Sequence, residues 1–375
     1  MSFSQHRSTQ PLLNMTFNFS DSMMDRNLTL SSEMSVVMET TELPFPTNLG
    51  PSSSVYVLAA VYGTIGCLGI LGNSLVCTVF LMRQQVFASS TNLLILNQSM
   101  IDLVDSILYL ILRFGPQLSD LSDDIWGELA CRIWFSEYII WSLFVASTVN
   151  LLFVSLERYF AICHAVKHRK LFTPRRANIG RVIVWVVGFL YQSYWAVLHT
   201  FTQGECFAVW PSPTVQKIGG MFFFCCEYLI PLSIMSFSYA NIVRMLRKKS
   251  TRDNTQVVNT FQRAKRNVTL TLCVVFLSYT VCWTPTEVAY MMYNLGGHYD
   301  FESTLHRVFT ALVLGNMCVN PIIYIFKYER FQVELKRIFL RRRNRVGDSS
   351  IIGGTTARTR VGDQNSDQEG PSTMR

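Results

Sequence analysis

Seven apolar blocks, at about 55–82, 92–112, 133–156, 180–201, 218–243, 267–294 and 304–326, alternate with polar stretches along the chain. Each is long enough to cross the hydrocarbon core of a bilayer, which takes about 20 helical residues. A soluble core supplies one or two such blocks, not seven in series. The pattern predicts an all-α membrane protein, a seven-transmembrane helix bundle over residues 55–326. Beyond the seventh block, Phe331, Leu335, Ile338 and Phe339 recur at helical spacing with Arg330, Lys336 and Arg337 among them. That spacing predicts a short amphipathic helix on the inner membrane face over 327–340.

Charge sets the orientation. Of the 33 Lys and Arg residues, 27 fall on the side holding Arg83, Arg158 to Arg181, Arg244 to Arg266 and the chain from Lys327 onward. The other side, with the N-terminus, holds 6. Positive residues mark the cytoplasmic face, so the N-terminus is expected outside and the protein in the plasma membrane as a multi-pass chain. The net charge of +8 is thus a topology signal and gives no ground for a nucleic-acid partner.

Residues 1–54, rich in Ser, Thr, Asn and Met, read as a disordered extracellular arm glycosylated at Asn14, Asn18 and Asn27. No basic start followed by an apolar core marks a cleavable signal peptide, so the first span serves for targeting. Residues 341–375 read as a disordered cytoplasmic tail, with Arg341, Arg342 and Arg343 placed to meet anionic membrane lipid.

The ten cysteines follow no metal spacing. Most lie inside spans, where a free thiol behaves as a small apolar residue. Cys131 and Cys206 fall at or near outer boundaries, in an oxidising compartment, and are expected to pair. A buried ionisable group costs at least about 2.5 kcal/mol on insertion scales, so each one inside a span is a functional candidate. Asp102 is such a group in the second span, with Asn73, Asn316 and Asn320 as polar company and Pro285 and Pro321 as helix breaks.

These residues together resemble the rhodopsin-like (class A) G-protein-coupled receptors over roughly residues 55–340. The marks come in order: Asn73, Asp102, Trp126 before Cys131, Glu157-Arg158-Tyr159, Trp185, Pro231, Tyr239, Cys282-Trp283-Thr284-Pro285 and Asn320-Pro321-Ile322-Ile323-Tyr324. One alone is weak, but the whole series in this order is specific.

The resemblance implies roles. Glu157 holds Arg158 at rest; on activation Arg158 turns toward a heterotrimeric G protein, and Tyr239 and Tyr324 move in beside it. Trp283 and Pro285 form the sixth-span hinge, and Asn320, Pro321 and Tyr324 the seventh-span switch. Asp102, Ser147, Asn316 and Asn320 match a mid-membrane sodium pocket, with sodium as an allosteric ion rather than a cofactor. Receptor kinases and arrestin-like proteins are expected at Ser349, Ser350, Thr355, Thr356, Thr359, Ser366, Ser372 and Thr373 of the tail. The base of the sixth span reads Arg263, Lys265 and Arg266, so a second acid that would hold Arg158 is missing, which raises the expected resting activity.

The chain departs from the family in places. Cys131 precedes Arg158 by two residues more than usual, which leaves open whether Tyr138 or Ile140 faces the ligand. The outer third span carries no aspartate of the amine-receptor kind, and Leu314 stands where opsins carry their lysine. Glu137, Glu227 and Glu287, with Asp120, Asp123, Asp124 and Glu128 in the first outer loop, suggest an acidic vestibule. The ligand pocket expected on this basis comprises Glu137, Tyr138, Glu227, Trp283, Glu287 and Tyr290. It suits a basic or amidated neuropeptide steered by charge, in loose likeness to galanin, somatostatin and allatostatin receptors. A small cationic or chemosensory ligand is the alternative. A transporter is a remote one, since no internal repeat or pore-lining series is found. No nucleophile or metal motif marks an enzyme.

Overall fold

The computed structural model describes residues 53–115, 124–202, 204–250, 259–300 and 303–352. Among them are seven helices long and apolar enough to cross a membrane. The first span is Ser53–Met82, the second Ser90–Phe114, the fourth Pro174–Leu198, the sixth Asn259–Asn294 and the seventh Thr304–Lys327. The third and fifth are interrupted and are described below.

The helix starts follow from local chemistry. The side chains of Ser89, Thr173, Ser212 and Ser303 each accept a hydrogen bond from the backbone N–H of the residue three further on. Pro174 and Pro213 occupy first-turn positions, where a missing N–H costs nothing. The helices run beyond the apolar blocks because these capped, polar ends lie outside the stretch that needs to be apolar.

The bundle is apolar outside and sets buried polar groups within an apolar core. Leu190, Val197, Phe237 and Leu277 are exposed, whereas Asn73, Asp102, Asn150, Asn316 and Asn320 are buried. Glycine permits the closest approaches. A Cβ on Gly72 would lie 2.8 Å from Pro321 of the seventh span, and one on Gly188 would lie 2.5 Å from the Ser142 carbonyl of the third.

The third span explains the two-residue excess. It begins as Ile125–Ala130, widens into a π turn over Cys131–Phe135, breaks at Ser136 and Glu137, and restarts as Tyr138–Cys163. Glu137 sits in the left-handed region at φ 60°, which is uncommon for any residue but glycine. The π turn and the break absorb the extra residues without displacing the inner helix. Trp195 of the fourth span braces the break by donating from Nε1 to the Ser136 carbonyl at 2.8 Å. The fifth span has its own π turn: Pro213–Phe223 leads into Phe224–Leu229 and then Ile230–Ser250. Pro231 follows at once, and its absent N–H removes a donor that a regular helix would need.

Three elements were not foreseen. The second outer loop forms an antiparallel hairpin, β1 His199–Thr202 and β2 Glu205–Ala208, with Phe201 opposite Cys206. Cys206 bonds Cys131 with Cα atoms 5.6 Å apart, so the hairpin is tied over the third span, as expected. The second inner loop contains the short helix Ala165–Leu171. The helix after the seventh span runs Glu329–Ile352, beyond the expected end at 340.

That last helix is pinned to the bundle. Its Glu334 is buried and accepts from Arg83 Nε at 2.6 Å and from Arg337 at 2.6 Å. Burial alone would raise the Glu334 carboxyl, but the bond from Arg83 and the charges of Arg337 and Arg83 outweigh it and hold it below the usual range. The glycosylation candidates Asn14, Asn18 and Asn27, the acids Asp120 and Asp123, and the tail residues Thr355, Thr356, Thr359, Ser366, Ser372 and Thr373 lie outside the described residues.

Candidate functional site

A cavity of about 220 Å³ opens between the third, fourth, fifth and sixth spans. Trp141, Phe144, Tyr191 and Trp283 give it aromatic walls, Pro231 contributes an edge, and Glu227 and Glu287 bring two carboxyl groups. The π turn of the fifth span contains Glu227, and the wider turn helps set its direction. Glu227 Oε1 is enclosed and has no hydrogen-bond donor among the described residues. Glu287 is buried two residues beyond Pro285, inside the sixth helix. Among the described residues, no Lys or Arg lines the cavity.

Trp283 sits at the floor. Its ring meets Phe144 edge-on at 5.2 Å and Trp141 at 6.4 Å, so the hinge residue packs against the third span. Its Nε1 is buried without a partner.

The geometry revises the expected pocket. Tyr138 turns away: its hydroxyl donates to the Phe189 carbonyl at 3.0 Å and its ring packs on Phe189 in the fourth span. The break at Glu137 rotates the start of the inner helix, so Trp141 and Phe144 face the cavity instead of Tyr138 or Ile140. Glu137 is not at the cavity either; its Oε2 accepts from Trp141 Nε1 at 3.3 Å. Tyr290 is buried one turn beyond Glu287 and does not line the cavity. The vestibule also shrinks. Asp124 caps its helix by accepting from the N–H groups of Trp126 and Gly127, while Glu128 pairs with Arg132 at 2.6 Å and accepts from Phe201 N.

At the cytoplasmic end Glu157 and Arg158 are buried together. Arg158 Nε lies 2.5 Å from Glu157 Oε2, and its NH2 donates to Glu157 Oε1 at 2.8 Å and to Thr91. Ser90 and Thr91 of the second span also donate to the carboxylate, at 3.0 and 2.8 Å. A donor missed from the sequence completes the set: His168 of the inner-loop helix, with Nε2 2.7 Å from Oε1. One of two histidines in a basic loop carries no signal of its own; only the fold of that loop brings His168 here. Tyr159 points elsewhere and bonds His164 at 3.1 Å. Tyr239 stacks on Phe276 and Tyr324 is fully buried, neither bonded to Arg158 in this arrangement.

Asp102 lies at the centre of the bundle. Oδ1 accepts from Gln98 Nε2 at 3.0 Å and from Ser147 Oγ at 3.3 Å, and Oδ2 accepts from Asn320 Nδ2 at 2.9 Å. Asn316, one turn before Asn320, is buried without a bond to Asp102. A hard cation needs oxygens turned toward it. The carboxylate is instead met by N–H and O–H donors, so these side chains do not fit the sodium ion expected at Asp102.

The model of the 7 transmembrane receptor (rhodopsin family) matches residues 72–324 of this chain. Galanin receptor 2b of Danio rerio is 29% identical over 298 residues, which cover 78% of this chain and 76% of that protein. Human galanin receptor type 1 is 29% identical over 297 residues, 76% of this chain and 82% of its own length. Galanin receptor type 2 of Rattus norvegicus is 30% identical over 283 residues, 74% of each.

Proposed function

Since this chain belongs to the rhodopsin family of seven-transmembrane, G-protein-coupled receptors of the plasma membrane, we propose that its extracellular ligand is a peptide with a basic group. That group enters the cavity between Glu227 and Glu287. The observation that carries this reading is an enclosed Glu227 oxygen without a donor, beside a second buried carboxyl, in a cavity without a cation. Two such groups in a poorly hydrated site repel when both ionise, and a positive charge relieves that repulsion. The faces of Trp141, Phe144, Tyr191 and Trp283 suit the same charge through cation–π attraction. The relatives named for galanin favour a peptide.

Binding there acts on Trp283 and draws the fifth and sixth spans together over Pro285. At the other end Arg158 leaves Glu157 to meet the G protein, and Tyr239 and Tyr324 close on it. The tail serves receptor kinases and arrestin-like proteins, and Arg341, Arg342 and Arg343 meet anionic lipid.

The cavity volume favours a second reading, a small cationic ligand. At about 220 Å³ it lies below the roughly 300–1,000 Å³ of drug-sized pockets, enough for one amine or guanidinium head. Galanin and a panel of basic, amidated peptides and small amines should be assayed for nucleotide exchange on purified receptor and G protein. The reading expects a basic agonist whose potency drops about tenfold or more in Glu227→Gln and in Glu287→Gln. An agonist with the same potency in both variants overturns it.

A further inference from the structure

Gln98 is fully buried in the second span, one turn before Asp102. Its Nε2 donates to Asp102 Oδ1 at 3.0 Å and to Ser147 Oγ at 2.5 Å. Both hydrogens of the amide are therefore spent on the two oxygens that a mid-membrane cation would use. An amide can present either its oxygen or its nitrogen, so what fixes this orientation decides its function.

The orientation is fixed from a distance. The indole of Trp185, in the fourth span, can only donate. It donates to Asn97 Oδ1 at 3.1 Å, which forces the Asn97 nitrogen to the other side. Asn97 Nδ2 donates to Asn150 Oδ1 at 3.0 Å. The Asn150 nitrogen then donates to the Leu94 carbonyl at 3.0 Å and to Gln98 Oε1 at 2.8 Å. With its oxygen so engaged, Gln98 has only N–H groups left for Asp102. Reversing any amide in this series sets two oxygens or two N–H groups face to face in a buried place and leaves both without a partner. The row of amides thus has one polarity, running from Trp185 to Asp102.

We propose that the Gln98 carboxamide, oriented by the Trp185–Asn97–Asn150 relay, takes the place of a cation at Asp102 and makes the receptor indifferent to sodium. The amide brings two partial positive charges to Asp102 and Ser147, and Asn320 brings a third from the seventh span. A sodium ion would have to displace the Gln98 N–H groups, and the displaced amide could not turn its oxygen inward without breaking the bond from Asn150. Gln98 is thereby a specificity-determining residue for the centre of the bundle. This inference is independent of the ligand, because it concerns the receptor with nothing bound in its outer cavity.

The test is the melting temperature of full-length, ligand-free receptor in lipid nanodiscs, followed by tryptophan fluorescence. Sodium chloride is exchanged for potassium chloride at a constant ionic strength of about 0.15 M. Wild type is expected to melt at the same temperature in both salts. Gln98→Leu frees the oxygens of Asp102 and Ser147 and is expected to gain about 2–4 °C in sodium, as a weakly bound ion gives. Gln98→Glu keeps the size of the side chain, covers the case in which Gln98→Leu does not fold, and is expected to gain at least as much. Trp185→Phe frees the relay to reverse and is expected to gain a smaller sodium response. A sodium response in wild type overturns the proposal. So does its absence in every folded variant at Gln98, since another feature would then be excluding the ion.

Discussion

Nε2 of His168 lies 2.7 Å from Oε1 of Glu157, so the second inner loop touches the same carboxylate that holds Arg158. The ring also stacks on Phe172 with an interplanar angle of 18°. This contact steadies Glu157 from a loop that a G protein is expected to grip. With no acid at the base of the sixth span to assist, His168 takes part of the restraint. His168→Ala is expected to raise agonist-independent nucleotide exchange about fivefold, the effect of losing roughly 1 kcal/mol from the resting state. Unchanged basal exchange at equal surface expression would remove His168 from the restraint.

Arg158 carries the opposite expectation. It lies far from the outer cavity, so Arg158→Ala should leave ligand binding measurable. Agonist-driven exchange should fall about tenfold or more, as when a charge-assisted contact of about 1.5–3 kcal/mol is lost. Radioligand binding and nucleotide exchange on one preparation separate the two effects.

The outer hairpin adds a pH dependence. His199, at the start of β1, is buried, with Nδ1 donating to the Trp195 carbonyl at 2.8 Å. Burial pushes the imidazole from 6.5 down to about 4. Between those values the unfolded chain binds a proton that the folded one refuses. Stability from this residue is therefore full above 6.5 and is lost as pH falls toward 4, by on the order of 3 kcal/mol in all. Melting temperature should drop between pH 7.5 and pH 5, and His199→Gln should flatten that drop. Equal slopes in the two proteins would rule out His199 as the source.

The disulfide can be tested beside it. Cys206→Ser should cost about 2–5 kcal/mol, lower the melting temperature, and loosen the hairpin over the third span. Peptide mapping without reduction should recover Cys131 and Cys206 in one linked fragment. A free thiol at either position in folded receptor would contradict the pairing.

The helical bundle was legible because each span must be apolar over its length and because the cytoplasmic face collects Lys and Arg. Arg158, Trp283 and Pro321 were legible because the motifs around them are specific. The excess before Arg158 was visible as a count, but not as a π turn and a break, because a left-handed glutamate leaves no mark in composition. Tyr138 was misplaced for that reason: a rotation at Glu137 changes which face of the next turn meets the cavity. Gln98 belongs to no motif that would set it apart in the sequence; only its three partners, Asp102, Ser147 and Asn150, give it a direction. The hairpin was missed because eight mixed residues in a loop carry too little alternation to stand out.

The approach of Gly72 to Pro321 has a mechanical consequence. It places a fulcrum on the seventh span at the residue where the helix lacks an N–H, with the first span as the support. At about 1.5 Å per residue, the arm from Thr304 to Pro321 is about 26 Å long and the arm from Pro321 to Lys327 about 9 Å. Rocking about that point divides displacement in a ratio of about three to one between the outer and inner ends. The seventh span is thus geared down: a broad swing at its outer end reaches Lys327 as a short stroke, delivered with a threefold gain in force.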